Sequence, residues 1–191
     1  MHQTFTDEFP FLPSFSFCLT GHGTNAEEIV FTVSVIPHRL VVENANHQQK
    51  RLLLALNPKA TAFFVLEGEA DITAFIGFIT EAKAVFLDWS TSAVTYGEKN
   101  INEEMLYRWL GSAIRFKKRG QWCESKGLHA VSAVLYIDPK GKAYCSFIFP
   151  EVYDPIQRKG GKQQLFLFSS ATEVDTLIKA LQLTTSGRRE N

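Results

Sequence analysis

The chain of 191 residues carries no formal net charge, with 20 Lys and Arg against 20 Asp and Glu, and 45% of it is hydrophobic. Such a composition excludes disordered and collagen-like chains. No stretch approaches the roughly 18 uninterrupted apolar residues of a membrane span, and the N-terminus MHQTFTDEFPFLP lacks the basic region of a secretory signal. We therefore expect one compact domain over residues 1–191 that does not associate with membranes.

The three cysteines, Cys18, Cys123 and Cys145, are too few and too scattered for a disulfide framework. They predict a reducing, cytoplasmic location. The common nucleotide-binding and hydrolase motifs, among them G-x-x-x-x-G-K-[ST], G-x-S-x-G, H-E-x-x-H and G-x-G-x-x-G, do not occur. The sequence consequently predicts neither a cofactor nor an enzymatic activity.

The first half of the chain has the pattern of successive β-strands. A Phe- and Pro-rich arm, residues 1–25, includes an edge-strand pattern at 11–17. Alternation of apolar and polar residues then predicts a strand from Glu28 to Ile36. Shorter apolar runs predict further strands at 39–43, 51–56, 61–66, 72–79 and 83–89, the run at 51–56 fitting a helical turn equally well. Their short junctions favour an antiparallel meander.

Two segments have helical spacing. Asn100 with Glu103 approximates a capping box, and apolar residues follow at helical intervals up to Gly120. These apolar residues are Leu106, Trp109, Leu110, Ala113 and Ile114. The pattern predicts a helix over 100–119. Ser170 with Glu173 begins a second amphipathic pattern, which predicts a helix over 171–182 and a frayed tail over 184–191.

Between these segments, two apolar runs flank the turn sequence Asp138-Pro139-Lys140-Gly141 and predict a hairpin over 128–149. A loop over 150–162 and a strand over 163–168 follow. The predicted fold is therefore α+β and β-rich, an antiparallel meander with two amphipathic helices packed on the sheet. Its order suggests two sheet-then-helix halves, 26–120 and 127–183.

The zero net charge hides a segregation. Residues 1–107 hold 6 Lys and Arg against 13 Asp and Glu, whereas residues 108–162 hold 11 against 4. If the cations of the helix end, the hairpin turn and the Gly-rich loop converge, they form a phosphate-binding surface flanked by aromatic residues that stack on bases. The predicted nucleic-acid-binding residues are Arg115, Lys117, Lys118, Arg119, Trp122, Lys140, Lys142, Tyr144, Arg158, Lys159 and Lys162, with Lys126 and Tyr136 beside them. The alternative is structural, since cations also stabilise helix C-termini and protect strand edges.

Lys140–Phe147, KGKAYCSF, resembles the RNP1 stretch of RNA recognition motifs over about eight residues. Lys142 stands where RNP1 has an aromatic residue, and the segment 150–162 shows no amphipathic helix, so the chain departs from that family. The order of two sheet-then-helix halves is similar to that of single-strand binders of the Whirly and PUR types. This similarity is one of topology alone.

Other candidate sites are weaker. Glu67, Glu69 and Asp71 would share one strand face and could hold Mg²⁺ in a nuclease, although Gly68 favours a turn. His38 beside Arg39 could act as a general base in RNA cleavage, but no second positioned acid accompanies it. Cys18 and His22 have no second pair to complete four zinc ligands. No metal site is therefore predicted.

Taken together, the sequence predicts a non-enzymatic nucleic-acid-binding accessory protein that uses a basic surface from residues 115–162, with single-stranded nucleic acid as one candidate ligand. The alternative is a protein-interaction subunit or an inhibitor of a larger complex. Such a protein would assemble with a charged partner, or with further copies of itself, through its charge-segregated surfaces.

Overall fold

A computed structural model describes residues 16–21, 25–33, 36–45, 49–118, 120–150, 153–154, 159–160 and 164–185. Several predictions fall elsewhere. The strand pattern before Ser16, His22, and the candidate ligands Arg119, Arg158 and Lys162 lie outside the described residues. The side chains of Cys18, Lys118, Lys126 and Lys159 also lie outside the description, although their backbones belong to strands.

The described elements are strands in two runs, each run followed by a helix. The first run comprises β1 (Ser16–Gly21), β2 (Asn25–Val33), β3 (Ile36–Ala45), β4 (Gln49–Ala55) and β5 (Ala62–Glu67), followed by α1 (Gly68–Tyr96). The second comprises β6 (Ile101–Lys118), β7 (Gln121–Ile137), β8 (Ala143–Phe149), β9 (Tyr153–Asp154), β10 (Lys159–Gly160) and β11 (Gln164–Phe168), followed by α2 (Ala171–Thr185).

Nine of these strands form one antiparallel sheet in the order β1-β2-β3-β4-β5-β6-β7-β8-β11, and β9 pairs with β10. Helix α2 contacts β2 and β3 as well as β11, which lie towards opposite ends of the sheet. His38 of β3 also packs against Phe166 and Phe168 of β11, with ring centroids 4.9 and 6.5 Å apart. The sheet therefore curves around the helices and brings β3 close to β11.

The predicted fold class is confirmed: the protein is α+β, with antiparallel strands and two helices. The strands predicted at 28–36, 39–43, 51–56, 61–66 and 163–168 correspond to β2, β3, β4, β5 and β11. Helix α2 begins where the Ser170 pattern places it and runs to Thr185, past the predicted end. Thr184 is buried rather than frayed, and its hydroxyl donates to the Leu181 carbonyl.

The strands predicted at 72–79 and 83–89 are wrong, because both segments belong to the 29-residue helix α1. Their β-branched and aromatic residues favoured strands, but Ile72, Phe75, Ile79, Ala82 and Phe86 recur at three and four residues and are all buried. Acidic residues in the first turn complement the helix dipole. Gly97, with a left-handed φ of 68°, ends the helix in a Schellman arrangement.

The helix predicted over 100–119 is also wrong, because this segment is the long strand β6. Leu106, Leu110 and Ile114 are four residues apart, a spacing that places side chains on one face of a helix and equally on one face of a strand. Trp109 does not share that face: it is 59% exposed. Asn100 has a left-handed φ of 57°, which is a turn conformation rather than the extended conformation of an N-cap.

The predicted hairpin is confirmed as β7 and β8. The Asp138 carboxylate accepts hydrogen bonds from the backbone N–H groups of Lys140 and Lys142 at 2.8 and 2.9 Å. Gly141 adopts a positive φ of 84°, and its N–H donates to the Asp138 carbonyl. At α2, one half of the predicted capping box is present, since the Glu173 N–H donates to the Ser170 hydroxyl. The Glu173 carboxylate accepts from the backbone N–H of Ser169 instead of that of Ser170.

Alternate residues of each strand face opposite sides of the sheet. On the side that we call the helix side, Leu52, Leu54, Val131 and Phe147 join a core with the apolar faces of both helices. The opposite side, the outer side, contributes a separate small cluster that contains no helix residue. The two helices thus occupy one side of the sheet and leave the outer side to its own side chains.

Candidate nucleic-acid interface on the outer side

The described members of the predicted basic surface do not gather in one place. Lys117 pairs with Trp122 at the β6–β7 turn, whereas Lys140 and Lys142 lie in the β7–β8 turn. These turns are at opposite ends of β7, separated by on the order of 50 Å at about 3.3 Å per residue. The expected single patch is therefore not formed by the described cations.

At the β6–β7 end, Arg115 belongs to an ion-pair network. Its guanidinium contacts Glu43 at 2.7 Å and Glu124 at 3.2 Å. Arg51 joins the same carboxylates and also Glu67, with distances of 3.8, 2.8 and 3.0 Å to Glu43, Glu124 and Glu67. These five residues, from strands β3 to β7, form what we call the ion-pair zone.

The centre of the ion-pair zone is only slightly exposed: the side chains of Arg115 and Glu43 are 12% and 7% exposed. Burial opposes ionisation of Glu124, but hydrogen bonds and charge from Arg51 and Arg115 outweigh it and hold the pKa of Glu124 below its usual value. Arg115 is thus committed to carboxylates of its own chain. Its role in nucleic-acid binding stays a prediction, whereas its role in joining β3, β6 and β7 is shown by these contacts.

Trp122, also predicted to stack on bases, packs instead beside the ion-pair zone. Its ring lies 5.6 Å from that of Phe63, at an interplanar angle of 48°. Phe63 is buried with Val41, Leu53 and Val65 in the outer-side cluster, and Trp122 packs against that cluster. The Lys117 ammonium lies 5.9 Å from the Trp122 ring centroid. The described cations and aromatic residues at this end therefore already have intramolecular contacts.

The other end of the outer side is different, because large apolar side chains are exposed there. In the register of β6, β7, β8 and β11, residues directly opposite each other share one side of the sheet, and these side chains all lie on the outer side. The exposed fractions are 51% for Tyr107, 59% for Trp109, 37% for Tyr136, 54% for Leu165 and 44% for Leu167. Together with the half-buried Tyr144 and Ile148, these five residues form what we call the aromatic face.

On the aromatic face, three small residues of β7 lie between the larger side chains of the neighbouring strands, and we call this line of small residues the trough. Val134, Ser132 and Ala130 are small residues on its floor, directly opposite Glu104, Tyr107 and Trp109 of β6. The other border of the trough, on the same side of the sheet, is formed by Tyr144 and Ile148 of β8 and by Leu165 and Leu167 of β11. Neighbouring strands are about 4.8 Å apart, so the backbones of β6 and β8 are separated by roughly 10 Å. A single extended chain with flat side groups fits such a width, whereas a duplex does not.

Three lysines border the aromatic face at the β7–β8 turn. Lys140 and Lys142 belong to the turn, and the Lys99 side chain lies beside Gly141: a Cβ added at Gly141 would be 4.0 Å from the Lys99 Cε atom. None of the three ammonium groups has a carboxylate of the described residues within 4.0 Å. The Lys142 ammonium lies 5.0 Å from the Tyr144 ring centroid, which in turn lies 5.8 Å from that of Tyr136. This margin combines unpaired cations with adjacent aromatic rings.

The turn that presents these lysines is held by Asp138. Hydrogen bonds from the backbone N–H of Lys142 and then of Lys140 favour the carboxylate form and lower the pKa of Asp138. The carboxylate is therefore ionised throughout the physiological range. Its bonds fix the backbone on which Lys140 and Lys142 stand.

The sequence pattern groups Lys140, Lys142, Tyr144 and Tyr136, which the structure brings together, but it does not include Tyr107 and Trp109 on the same surface. Both lie in the segment predicted as a helix, in which Trp109 belongs to the apolar face. A strand assignment shows that Tyr107 and Trp109 alternate with the buried Leu110 and the half-buried Leu106. Leu165 and Leu167 alternate in the same way with Phe166 and Phe168.

A second exposed apolar area surrounds the end of α1. Leu87, Val94 and Tyr96 are 46%, 67% and 79% exposed. Beside them, an open groove of about 390 Å³ is lined by Trp89 and Tyr96 of α1 and by residues of β6 and β7, with Asp88 and Glu98 among its polar residues. This groove is adjacent to the lysine-bearing turn, because the Glu98 carbonyl approaches Gly141.

The weaker candidate sites have structural roles. Glu67 ends β5 and pairs with Arg51, whereas Glu69 and Asp71 lie in the first turn of α1, so the three do not share a strand face. Within the described part of the chain, no three His, Cys, Asp or Glu side chains are grouped to hold a metal ion. His38 stacks on Phe31 at 5.2 Å, and burial lowers its pKa to about 4. It packs in a ring cluster that has no positioned acid among the described residues.

Neither helix of the described chain has the length and apolarity needed to cross a bilayer. No protein-family model matches the sequence, and no significant match was found among curated proteins or solved structures.

Proposed function

We propose that the protein binds single-stranded nucleic acid without catalysing a reaction, and that the aromatic face is the binding surface. One observation supports this proposal above all: Tyr107, Trp109, Tyr136 and Tyr144 lie on one side of one sheet, next to unpaired lysines. Base stacking on such rings contributes about 1–3 kcal/mol per base, and it tolerates any sequence because every base has a π-face.

The lysines complete the proposal. Lys99, Lys140 and Lys142 lie where a strand in the trough would leave the face, and their charges are available to phosphates. Free thiols at Cys123 and Cys145 favour a reducing setting, so we place this activity in the cytoplasm. Lys118, Arg119, Arg158, Lys159 and Lys162 remain candidate phosphate ligands from the sequence.

The proposal is tested by fluorescence anisotropy with single-stranded and duplex oligonucleotides of equal length at several salt concentrations. We expect single strands to bind more tightly than duplexes. Trp109→Ala should weaken single-strand binding by roughly tenfold or more, because one stacking position is removed. The matched control is Trp89→Ala, which removes an exposed Trp on the helix side and should leave binding unchanged.

The lysines are tested by their effect on salt dependence. The double variant Lys140→Gln with Lys142→Gln should reduce the slope of log affinity against log salt by about 0.7 for each phosphate that the variant no longer neutralises. Lys179→Gln, an exposed lysine on α2, should leave the slope unchanged. No binding of wild-type protein at about 50 mM salt, where phosphate contacts are strongest, would refute the proposed function.

The exposed end of α1 favours a second candidate function, self-association. The acidic groove residues Asp88 and Glu98 lie beside the basic Lys99, Lys140 and Lys142, so the surface contains both signs of charge next to exposed apolar residues. A two-fold dimer requires such a self-complementary patch. Because the lysines would then be covered, this candidate predicts that dimerisation and nucleic-acid binding compete.

Sedimentation velocity over a range of protein concentrations tests the second candidate. We expect a dimer whose population falls at high salt, and we expect Tyr96→Glu to convert it to monomer. Leu183→Glu, an equivalent change at an exposed apolar residue of α2, serves as the control. A wild-type protein that remains monomeric at every concentration would exclude self-association through this surface.

A further inference from the structure

One carboxylate lies within the aromatic face. Glu104 of β6 is directly opposite Val134 on the trough floor, and the next outer-side residue along β6 is Tyr107. The Glu104 side chain is exposed and forms no ion pair with any described residue. A carboxylate repels phosphate, but it accepts hydrogen bonds from N–H groups such as those of a base.

Ser132 fixes the position of this carboxylate. The Ser132 hydroxyl, on the neighbouring strand, donates a hydrogen bond of 2.7 Å to the Glu104 Oε2 atom. That bond leaves Oε1 of the exposed carboxylate as a further acceptor. A base stacked on Tyr107 would bring its polar edge close to this atom, because Ser132 is directly opposite Tyr107 in the register.

We propose, on the basis of the proposed function, that Glu104 makes the trough selective for bases that carry an exocyclic amino group. Cytosine presents its N4 amino group as a donor to a carboxylate, whereas uracil and thymine present the O4 acceptor at the equivalent position. Oε1 attracts the amino group and repels the carbonyl oxygen. The ligand class is therefore single-stranded nucleic acid rich in amino-bearing bases, and the pyrimidines provide the sharpest contrast.

The test compares oligo(dC) with oligo(dU) of equal length by anisotropy at mildly alkaline pH, because the two bases have rings of the same size. Wild-type protein should bind oligo(dC) roughly tenfold more tightly than oligo(dU). Cytosine gains one charge-assisted hydrogen bond to Glu104, whereas the O4 atom of uracil is repelled by it. Glu104→Gln should reduce this ratio to about one, because a Gln amide can donate to O4 as well as accept from N4.

Glu103→Gln provides the matched control. It removes the same charge from the adjacent residue of the same strand, but Glu103 is opposite Leu135 and belongs to the other side of the sheet. The ratio should remain at the wild-type value. Ser132→Ala should lower the ratio partway, because the carboxylate loses the bond that orients it.

The outcomes separate this inference from the function on which it rests. Equal binding of both oligonucleotides by wild-type protein would overturn the selectivity and leave single-strand binding intact. Binding of neither would overturn both. An unchanged ratio in Glu104→Gln, with an unchanged melting temperature, would show that another residue selects the base. A ratio lost in Glu103→Gln would show that net charge alone is responsible.

Discussion

The two ends of the outer side use the same residue types for opposite purposes. In the ion-pair zone, Arg115 and Arg51 are surrounded by Glu43, Glu67 and Glu124, and Trp122 is packed on Phe63. On the aromatic face, the lysine ammonium groups form no ion pair within 4.0 Å in the described chain, and Trp109 is 59% exposed. A basic or aromatic residue therefore indicates function only after its intramolecular partners are known.

This difference follows from where the strands pair. The β6–β7 hairpin is longer than its neighbours, so β5 pairs with residues 113–116 of β6, and β8 pairs with residues 132–137 of β7. Residues near the β6–β7 turn thus lie beside the acidic first half of the chain. Residues near the β7–β8 turn lie beside β8 and β11, which contribute apolar side chains instead of carboxylates.

The largest expected effect comes from the ion-pair zone. Arg115→Met should leave the Glu43 carboxylate buried without its closest cation, which costs about 3–5 kcal/mol in the free energy of unfolding. Thermal denaturation should show a loss of roughly 10 °C. Lys142→Met, the matched change at the aromatic face, should alter stability by less than about 0.5 kcal/mol. Equal losses in the two variants would remove the distinction between the two ends.

The next largest effect on stability is expected at His38, whose ring packs on Phe166 and Phe168 and so joins the first run of strands to the second. The pKa of His38 is lowered to about 4 by burial, while the unfolded chain retains a value near 6.5. Between these values the unfolded chain binds more protons, so stability is complete above about pH 6.5 and decreases as the pH falls towards 4. The loss amounts to about 3 kcal/mol at most.

Measuring unfolding from pH 7 to pH 4 in wild type and in His38→Phe isolates this effect, because Phe keeps the ring contacts and cannot titrate. The comparison is needed because other groups titrate nearby. Burial raises the pKa of Glu28, although Arg39 opposes the shift, and this carboxyl group changes stability in the opposite direction. Identical pH profiles in the two proteins would contradict the prediction.

Much of the fold could be predicted from the sequence, because alternation and turn chemistry are local signals. They located β2, β11 and the turn at Asp138 and Gly141, and the capping box located α2. In residues 68–119 the predictions placed strands where the structure has a helix and a helix where it has a strand, for a physical reason. Spacing by four residues satisfies both periodicities, and the aromatic residues of α1 favour strands until the buried face of the helix is known.

The candidate site was less predictable than the fold. Clusters of Lys and Arg can be recognised in a sequence, but pairing cannot, because Arg115 and Glu43 are distant in the chain and meet only through the strand order. The turn lysines and Tyr144 were identified because they are neighbours in sequence. Trp109 and Leu165 reach the same face through β6 and β11, and only the sheet register reveals that they are together.

A smaller effect is expected at the boundary between the two ends, where Gly111 lies among the register shifts of β6. A Cβ at this position would overlap the ring of Phe64, which is fully buried. Gly111→Ala should therefore cost about 1–3 kcal/mol. Gly77→Ala, at an exposed position of α1 with open space around it, should instead stabilise the protein by about 0.5–1 kcal/mol. Urea unfolding of both variants would distinguish a required glycine from a tolerated one.

The smallest effect compares two tryptophans on the outer side of one hairpin. Trp122→Ala should cost about 1–2 kcal/mol, because it removes the ring that packs on Phe63 in the small cluster beside the ion-pair zone. Trp109→Ala should change stability by less than about 0.5 kcal/mol, because its ring is mostly in solvent and its described ring contact is with the exposed Tyr107. Oligonucleotide affinity should respond in the opposite order, with a larger loss in Trp109→Ala than in Trp122→Ala. A stability loss in Trp109→Ala as large as that in Trp122→Ala would mean that the aromatic face is part of the packing of the sheet, and the interpretation of its exposure as a binding surface would fail.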